Sequence, residues 1–265
     1  MGIVLEHIKV ERHSKVIVNH LDLEVKQGEL VVILGLNGVG KTTLIKAIAG
    51  LLPIAEGKVF CGGRAIDEMT SKERAKQITY IPQQMTCDLE YTVSDFILMG
   101  ITPYLDFWQT PKKSHHKKVE GILEQLKLSH LKARRLSQIS GGERQMVYLA
   151  RALMQKTGVM LLDEPIAHLD FKRQHEFFHV LKEVKDQANK TVLICIHDPN
   201  LALQYADRIV VLHDKQFLGQ ISLRREDEKD RRESIEALVK LLREAYGEGI
   251  GLNQEIGSSI LYSQK

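Results

Sequence analysis

The chain has 265 residues, of which 43% are hydrophobic and 27% charged; this suffices for a buried core and excludes a disordered chain. Its 37 basic and 34 acidic residues leave a net charge of only +3, without the basic footprint of a nucleic-acid binder, so no nucleic-acid partner is expected. Three scattered cysteines, Cys61, Cys87 and Cys195, form neither a C-x-x-C pair nor a metal site, which suits a reducing compartment.

Two extended segments open the chain, residues 3–10 and 16–25, without the apolar core of a secretory signal. Glu6 stands where a myristoylation signal needs Ser or Thr. A turn at Gln27-Gly28 leads into LVVIL, residues 30–34, the pattern of a strand covered on both faces. Apolar runs of this length fall far short of the roughly 20 residues a membrane helix needs, so any work at a membrane is expected of a peripheral subunit. A glycine-rich loop then opens a helix over 42–49, stopped by Gly50 and Pro53. A strand at 58–60, a helix at 71–76 and a strand at 78–81 follow.

From 83 to 155 the pattern is mostly helical, with helices expected over 93–99, 119–128 and 143–155. Strands and helices then alternate: 159–162, 171–185, 191–196, 200–205 and 208–212. The alternation predicts an α/β fold with a mostly parallel sheet, an antiparallel β region at the N-terminus and a helical subdomain inserted at about 84–155. Residues 224–233 are ten consecutive charges, five of each sign, expected to form a solvated linker or helix start. Residues 234–246 put Ile235, Leu238, Val239, Leu242 and Ala245 on one helical face, to pack on the domain or to dock a partner. The expected organisation is one unit over 1–223 and an extension over 224–265.

The strongest local signal is Gly35-Leu-Asn-Gly-Val-Gly40-Lys41-Thr42, a G-x-x-x-x-G-K-T loop between a strand and a helix. Triphosphate oxygens need converging backbone N–H donors, so the loop at Asn37, Gly38 and Gly40 must curl, and glycine permits that. The helix start adds unpaired N–H groups and a positive dipole end. Lys41 is expected on the β- and γ-phosphates, Thr42 on Mg²⁺ and Thr43 on a phosphate. ATP and Mg²⁺ are the expected cofactors. VMLLDEP, residues 159–165, puts Asp163 and Glu164 at a strand's carboxyl end, where open parallel sheets bind ligands. Asp163 is assigned to the metal and Glu164 to the attacking water. The strand 191–196 ends at His197, an imidazole that could touch the γ-phosphate and report its presence or serve the structure alone.

Ile139-Ser140-Gly141-Gly142-Glu143-Arg144-Gln145 resembles the signature sequence of ABC ATPases, which make the fold a P-loop NTPase. Ser140 and Glu143 have capping-box spacing, and the glycines leave N–H groups open to an anion. Around it, in the family's order, Gln83 in YIPQ resembles the glutamine that joins the Mg²⁺ shell, residues 167–170 resemble the loop between two ATPase subunits, and His197 the switch histidine. The resemblance implies a head-to-tail homodimer in which Ser140, Gly141, Gly142 and Glu143 of one chain cover ATP on the other. It further implies a polytopic permease and, through it, an extracytoplasmic substrate-binding protein, with this subunit on the cytoplasmic face of the membrane. The family's adenine-stacking aromatic would fall near Arg12, so Arg12 or His13 is expected there. Met146 and Ile166-Ala167 also depart from the family's usual residues.

The segments 92–108 and 197–212, with His168, resemble the importer subgroup for iron(III)-siderophores, haem and corrinoids. Importers of zinc, manganese or molybdate, and soluble ABC ATPases acting on nucleic acid or ribosomes, are the alternatives. Ile97, Leu98, Met99, Tyr104, Leu105, Phe107 and Trp108 divide between the core of the insertion and a permease-docking surface. The run KKSHHKK, 112–118, is expected as a solvated helix start or a lipid-facing patch.

Overall fold

The computed structural model describes residues 1–83, 90–223, 228–247, 250–255 and 258–263. The first two segments pair as an antiparallel hairpin, β1 (Ile3–Arg12) and β2 (Lys15–Val25). β1 also pairs with β4 (Glu56–Cys61), and β5 (Arg64–Ala65) completes a four-stranded sheet ordered β2-β1-β4-β5. The second sheet runs β10-β9-β3-β8-β7-β6, built from β3 (Leu30–Leu34), β6 (Ile78–Ile81), β7 (Val159–Asp163), β8 (Thr191–Cys195), β9 (Arg208–His213) and β10 (Gln216–Ser222). Its pairings are parallel except at β10. Every residue of β3, β7 and β8 is buried, as their unbroken apolar runs require.

Alternate residues of these strands serve two cores. Val31, Ile33, Leu161 and Leu193 pack with α1 (Lys41–Ile48) and the antiparallel sheet. Leu30, Val32, Met160 and Val192 face the second core, shared with the remaining large helices. After α2 (Ser71–Gln77), these are α3 (Val93–Leu98), α4 (Lys113–Gln125), α5 (Gly141–Met154), α6 (Phe171–Ala188), α7 (Pro199–Tyr205) and α8 (Glu228–Tyr246).

Some boundaries differ from the pattern. The helix expected over 119–128 starts at Lys113 and stops at Gln125, because Lys127 takes a left-handed φ of 58°. Leu126 and Leu128 stay buried, but from the turn beyond the helix. The charged run divides: residues 228–233 open α8, and 224–227 lie outside the described residues. The start of the expected insertion, 84–89, lies outside them as well, with Cys87.

Ile235, Leu238, Val239, Leu242 and Ala245 are all buried in the same core as the sheet, so α8 packs on the domain. Beyond it, β11 (Ile250–Glu255) and β12 (Ser258–Ser263) pair as a hairpin that no apolar alternation announces. β10 also escapes a pattern reading, because Gly219 interrupts it. A Cβ at Gly219 would come within 2.9 Å of the Leu241 side chain, so the glycine lets α8 lie close to the sheet. Ile235→Val is expected to cost about 1 kcal/mol and lower Tm by about 3 °C. An unchanged Tm in a calorimetric scan would show that this face carries no packing energy.

Candidate functional site

Sheet register brings the predicted residues together. Ile33 of β3 and Asp163 of β7 both pair with Cys195 of β8, and Ile81 of β6 pairs with Leu162. Four neighbouring strands therefore end level, and the residues just beyond them share one rim: the loop from Gly35, then His197, Asp163-Glu164 and Gln83.

The loop is shaped by its glycines. Gly40 has φ 113°, and a Cβ there would lie 2.8 Å from the Ile17 carbonyl oxygen, so no side chain fits. Gly38 has φ 81° with open space around its missing Cβ, while Asn37 is exposed beside it. α1 starts after Gly40 with no side-chain cap and no acidic residue in its first turn, so its N–H groups are left for an anion. Arg12 closes the β1–β2 hairpin opposite Lys15, two residues from Ile17 and hence on the strand pair abutting the loop.

Lys41 is only 4% exposed. Its Nζ donates to the carbonyls of Gly35 (2.7 Å) and Leu36 (3.2 Å) and lies 3.7 Å from Glu164 Oε1 and 3.4 Å from His197 Nδ1. The His197 Nε2 is 2.7 Å from Glu164 Oε2, to which Gln83 Nε2 donates at 3.0 Å. Glu164 is thus the hub of the cluster. Its backbone is left-handed, φ 48°, a strained conformation for this residue type, held by its N–H donating to the Cys195 carbonyl.

Asp163 plays a different part. Thr42 Oγ1 donates to its Oδ1 (2.9 Å) and the Tyr80 hydroxyl to its Oδ2 (3.3 Å). Burial raises its carboxyl above the ordinary range, opposed by the Thr42 bond; Tyr80 is raised by burial and by Asp163. The Thr42 hydroxyl, the Asp163 carboxylate and the Gln83 amide oxygen make an all-oxygen donor set of the kind that suits Mg²⁺. Tyr80 opens the YIPQ stretch, but only the pairing of β6 with β7 reveals its bond to Asp163.

Ser140 caps α5 with Glu143 in a reciprocal box, as its spacing predicts, and those bonds lower the Glu143 carboxyl. Nothing lies within 4 Å of a Cβ built on Gly141. The side-chain bonds of Ser140 are to Glu143 and Arg173 rather than to the phosphate loop, so they do not join the two anion sites within one chain. Sequence reasoning missed Arg173. Its Nη1 donates to Ser140 Oγ at 2.8 Å and its Nε lies 3.5 Å from Asp170 Oδ2, tying the start of α6 to that of α5. Of the apolar set in the insertion, Ile97 is fully buried, Leu98, Met99 and Leu105 pack partly on the core, and Tyr104 is exposed. Phe107 and Trp108 are 90% and 89% exposed and meet edge to face at 4.9 Å. No helix among the described residues is long and apolar enough to cross a membrane.

Comparison with known proteins matches residues 18–167 to the family described as ABC transporter. The probable iron chelatin transport ATP-binding protein of Helicobacter pylori is 38% identical over 223 residues, covering 84% of this chain and 88% of the relative. A solved ABC transporter of metal-chelate type, in an inward-facing conformation, superposes with a TM-score of 0.81 at 23% identity, covering 98% of this chain and 96% of the other, a likeness of fold. A dimeric ATP-binding cassette solved in a post-hydrolysis state with ADP and phosphate superposes with a TM-score of 0.75 at 26% identity, over 84% of this chain and 99% of that one.

Proposed function

The chain belongs to the ABC transporter family as an ATP-hydrolysing subunit, and on that premise we propose that it drives import of a metal chelate, of the iron-siderophore, haem or corrinoid kind. The observation that carries the catalytic half is the cluster of Lys41, His197 and Gln83 around Glu164. The cargo class is supported by the relative named for iron chelatin transport.

In this reading the nucleotide phosphates take over the N–H groups of the loop at Asn37, Gly38 and Gly40 and the start of α1, with Thr43 beside them. Lys41 leaves the Gly35 and Leu36 carbonyls for the β- and γ-phosphates. Mg²⁺ held by Thr42, Asp163 and Gln83 neutralises phosphate charge when bound. Glu164 orients a water in line with the γ-phosphorus and takes its proton as the bond to ADP breaks, giving ADP and phosphate. His197 holds the Glu164 carboxylate and reads the γ-phosphate. Arg12 is assigned to the base.

The second anion site needs a second chain. Ser140, Gly141, Gly142 and Glu143 close over the nucleotide of a partner copy, as the separation of the two sites in one chain and the dimeric relative suggest. Residues 1–223 are taken as the ATPase unit, with 224–265 as an extension. Phe107 and Trp108 supply an apolar surface for a polytopic permease at the cytoplasmic face of the membrane, through which an extracytoplasmic binding protein delivers cargo.

Arg173 then positions Ser140 for the partner's phosphate. Arg173→Met is expected to lower kcat about tenfold, the worth of a charge-assisted hydrogen bond. ATP affinity of the isolated chain should be unchanged, and Arg173→Lys should recover part of the rate. Equal activity in both variants and the parent enzyme would remove Arg173 from the site. The transport reading is tested by affinity purification from membranes: a polytopic protein should come with the chain, and stable retention of DNA or ribosomes instead would overturn it.

A further inference from the structure

Lys118 ends the KKSHHKK run, which ATP hydrolysis leaves unused. It lines a cavity of about 500 Å³ between α4 and α6. The connection from α5 to β7 contributes Lys156 to the wall, and Lys190 enters from the foot of β8. The lining holds these three lysines and no carboxylate among the described residues. α6 adds Gln187, bonded to Gln125 of α4 at 3.2 Å, but no charge.

Of the buried lysines among the described residues, Lys41 lies beside Glu164 and Lys185 beside Asp207, whereas Lys190 has no carboxylate in this lining. Lys185 pairs with Asp207, Arg208 with Glu29 and Lys132 with Glu120. Around the cavity the ammonium groups of Lys118 and Lys190 turn to backbone carbonyls instead. Lys190, only 6% exposed, donates to Thr157, and Lys118 donates to Met154 at 3.4 Å. Met154 closes α5 and Thr157 follows it, and α6 ends beside the same cavity, so the lysines offset two helix dipoles. Each helix end carries roughly half a negative charge, which leaves about two of the three positive charges unmatched. Lys190 is buried and Lys118 half-buried, and burying a cation without a counter-ion is costly. The crowding is felt by Lys118, which desolvation first, then Lys156 and Lys190, hold down to about 8.

We propose that this cavity is a binding site for a phosphate-bearing anion, gripped by Lys118, Lys156 and Lys190. A phosphate monoester or lipid phosphate brings roughly the missing one to two negative charges and several acceptor oxygens for ammonium donors. The anion bridges α4 of the helical insertion to β8 of the sheet, so its occupancy ties those two parts together. Neither the ATP site nor its chemistry is involved, and the site stands whether or not the transport reading does.

The test is calorimetric titration of pyrophosphate into the full chain saturated with ADP, so that the phosphate loop is already filled. One saturable site per chain is expected. Lys118→Gln and Lys156→Gln should each weaken it about tenfold, with ADP affinity unchanged and Tm without pyrophosphate no lower than that of the parent chain. Affinity should fall as pH rises from 7 to 9, because the anion favours protonated Lys118 and binding takes up a proton. Vesicles of phosphatidylcholine with and without phosphatidylglycerol separate the sources. Lysine-dependent binding to the anionic vesicles that competes with pyrophosphate identifies a lipid headgroup, and pyrophosphate binding without vesicle binding identifies a free anion. No saturable binding of either probe, or binding that persists in the Lys118→Gln/Lys156→Gln double variant, overturns the site.

Discussion

Glu164→Gln is expected to bind ATP as tightly as the parent chain, to lose turnover by about a thousandfold, and to accumulate as an ATP-bound dimer. The amide keeps the size of the side chain but cannot accept a proton, and general-base catalysis contributes on the order of 10²–10⁴ in rate. Asp163 cannot replace it. That carboxylate is 1% exposed and is engaged by Thr42 and Tyr80, whereas Glu164 reaches Gln83 and His197 at the rim. If hydrolysis is what separates two chains that share nucleotide, then blocking it while binding persists leaves them together. Phosphate release and light scattering after size exclusion read the two effects separately. Near-parental turnover would mean that another group activates the water; a lasting monomer in saturating ATP, with the permease present, would end the shared-site model.

Much of this pocket is legible in the sequence because its parts are short and contiguous. Gly35 to Thr42 carries strand end, loop and helix start in one stretch, and the same holds for the carboxylates closing β7 and for the cap Ser140–Glu143. The α8 face is readable too, since 3.6-residue spacing needs no knowledge of the partner surface. What escapes is contact between distant elements. Arg173 meets Ser140 across 33 residues and Tyr80 meets Asp163 across 83; the arginine sits in no motif, and in YIPQ it is the glutamine, not the tyrosine, that carries the resemblance. The lysine cavity is hidden for the same reason: Lys118, Lys156 and Lys190 are ordinary surface letters until α4, α6 and β8 converge. The strand β10 fails a pattern reading because packing against α8 requires Gly219, the residue that breaks the pattern.

Lys41→Ala is expected to weaken ATP binding about a hundredfold and to abolish measurable turnover at ordinary ATP concentration. Charge-assisted hydrogen bonds are worth about 1.5–3 kcal/mol each, and one to each of two phosphates makes about 3 kcal/mol a modest expectation. The ammonium lies within the loop, on the carbonyls of Gly35 and Leu36, so the charge offered to the phosphates is desolvated and in place. A competing account is that Lys41 matters only because it lies 3.7 Å from Glu164, and that its loss disorders the carboxylate. The two differ in a Glu164→Gln background. If Lys41 acts on the phosphates, the double variant loses the same hundredfold in affinity as the single one. If it acts through the carboxylate, the loss vanishes once the carboxylate is gone. Calorimetry on the four proteins decides between them, and an unchanged dissociation constant in Lys41→Ala alone would take the lysine out of the phosphate site.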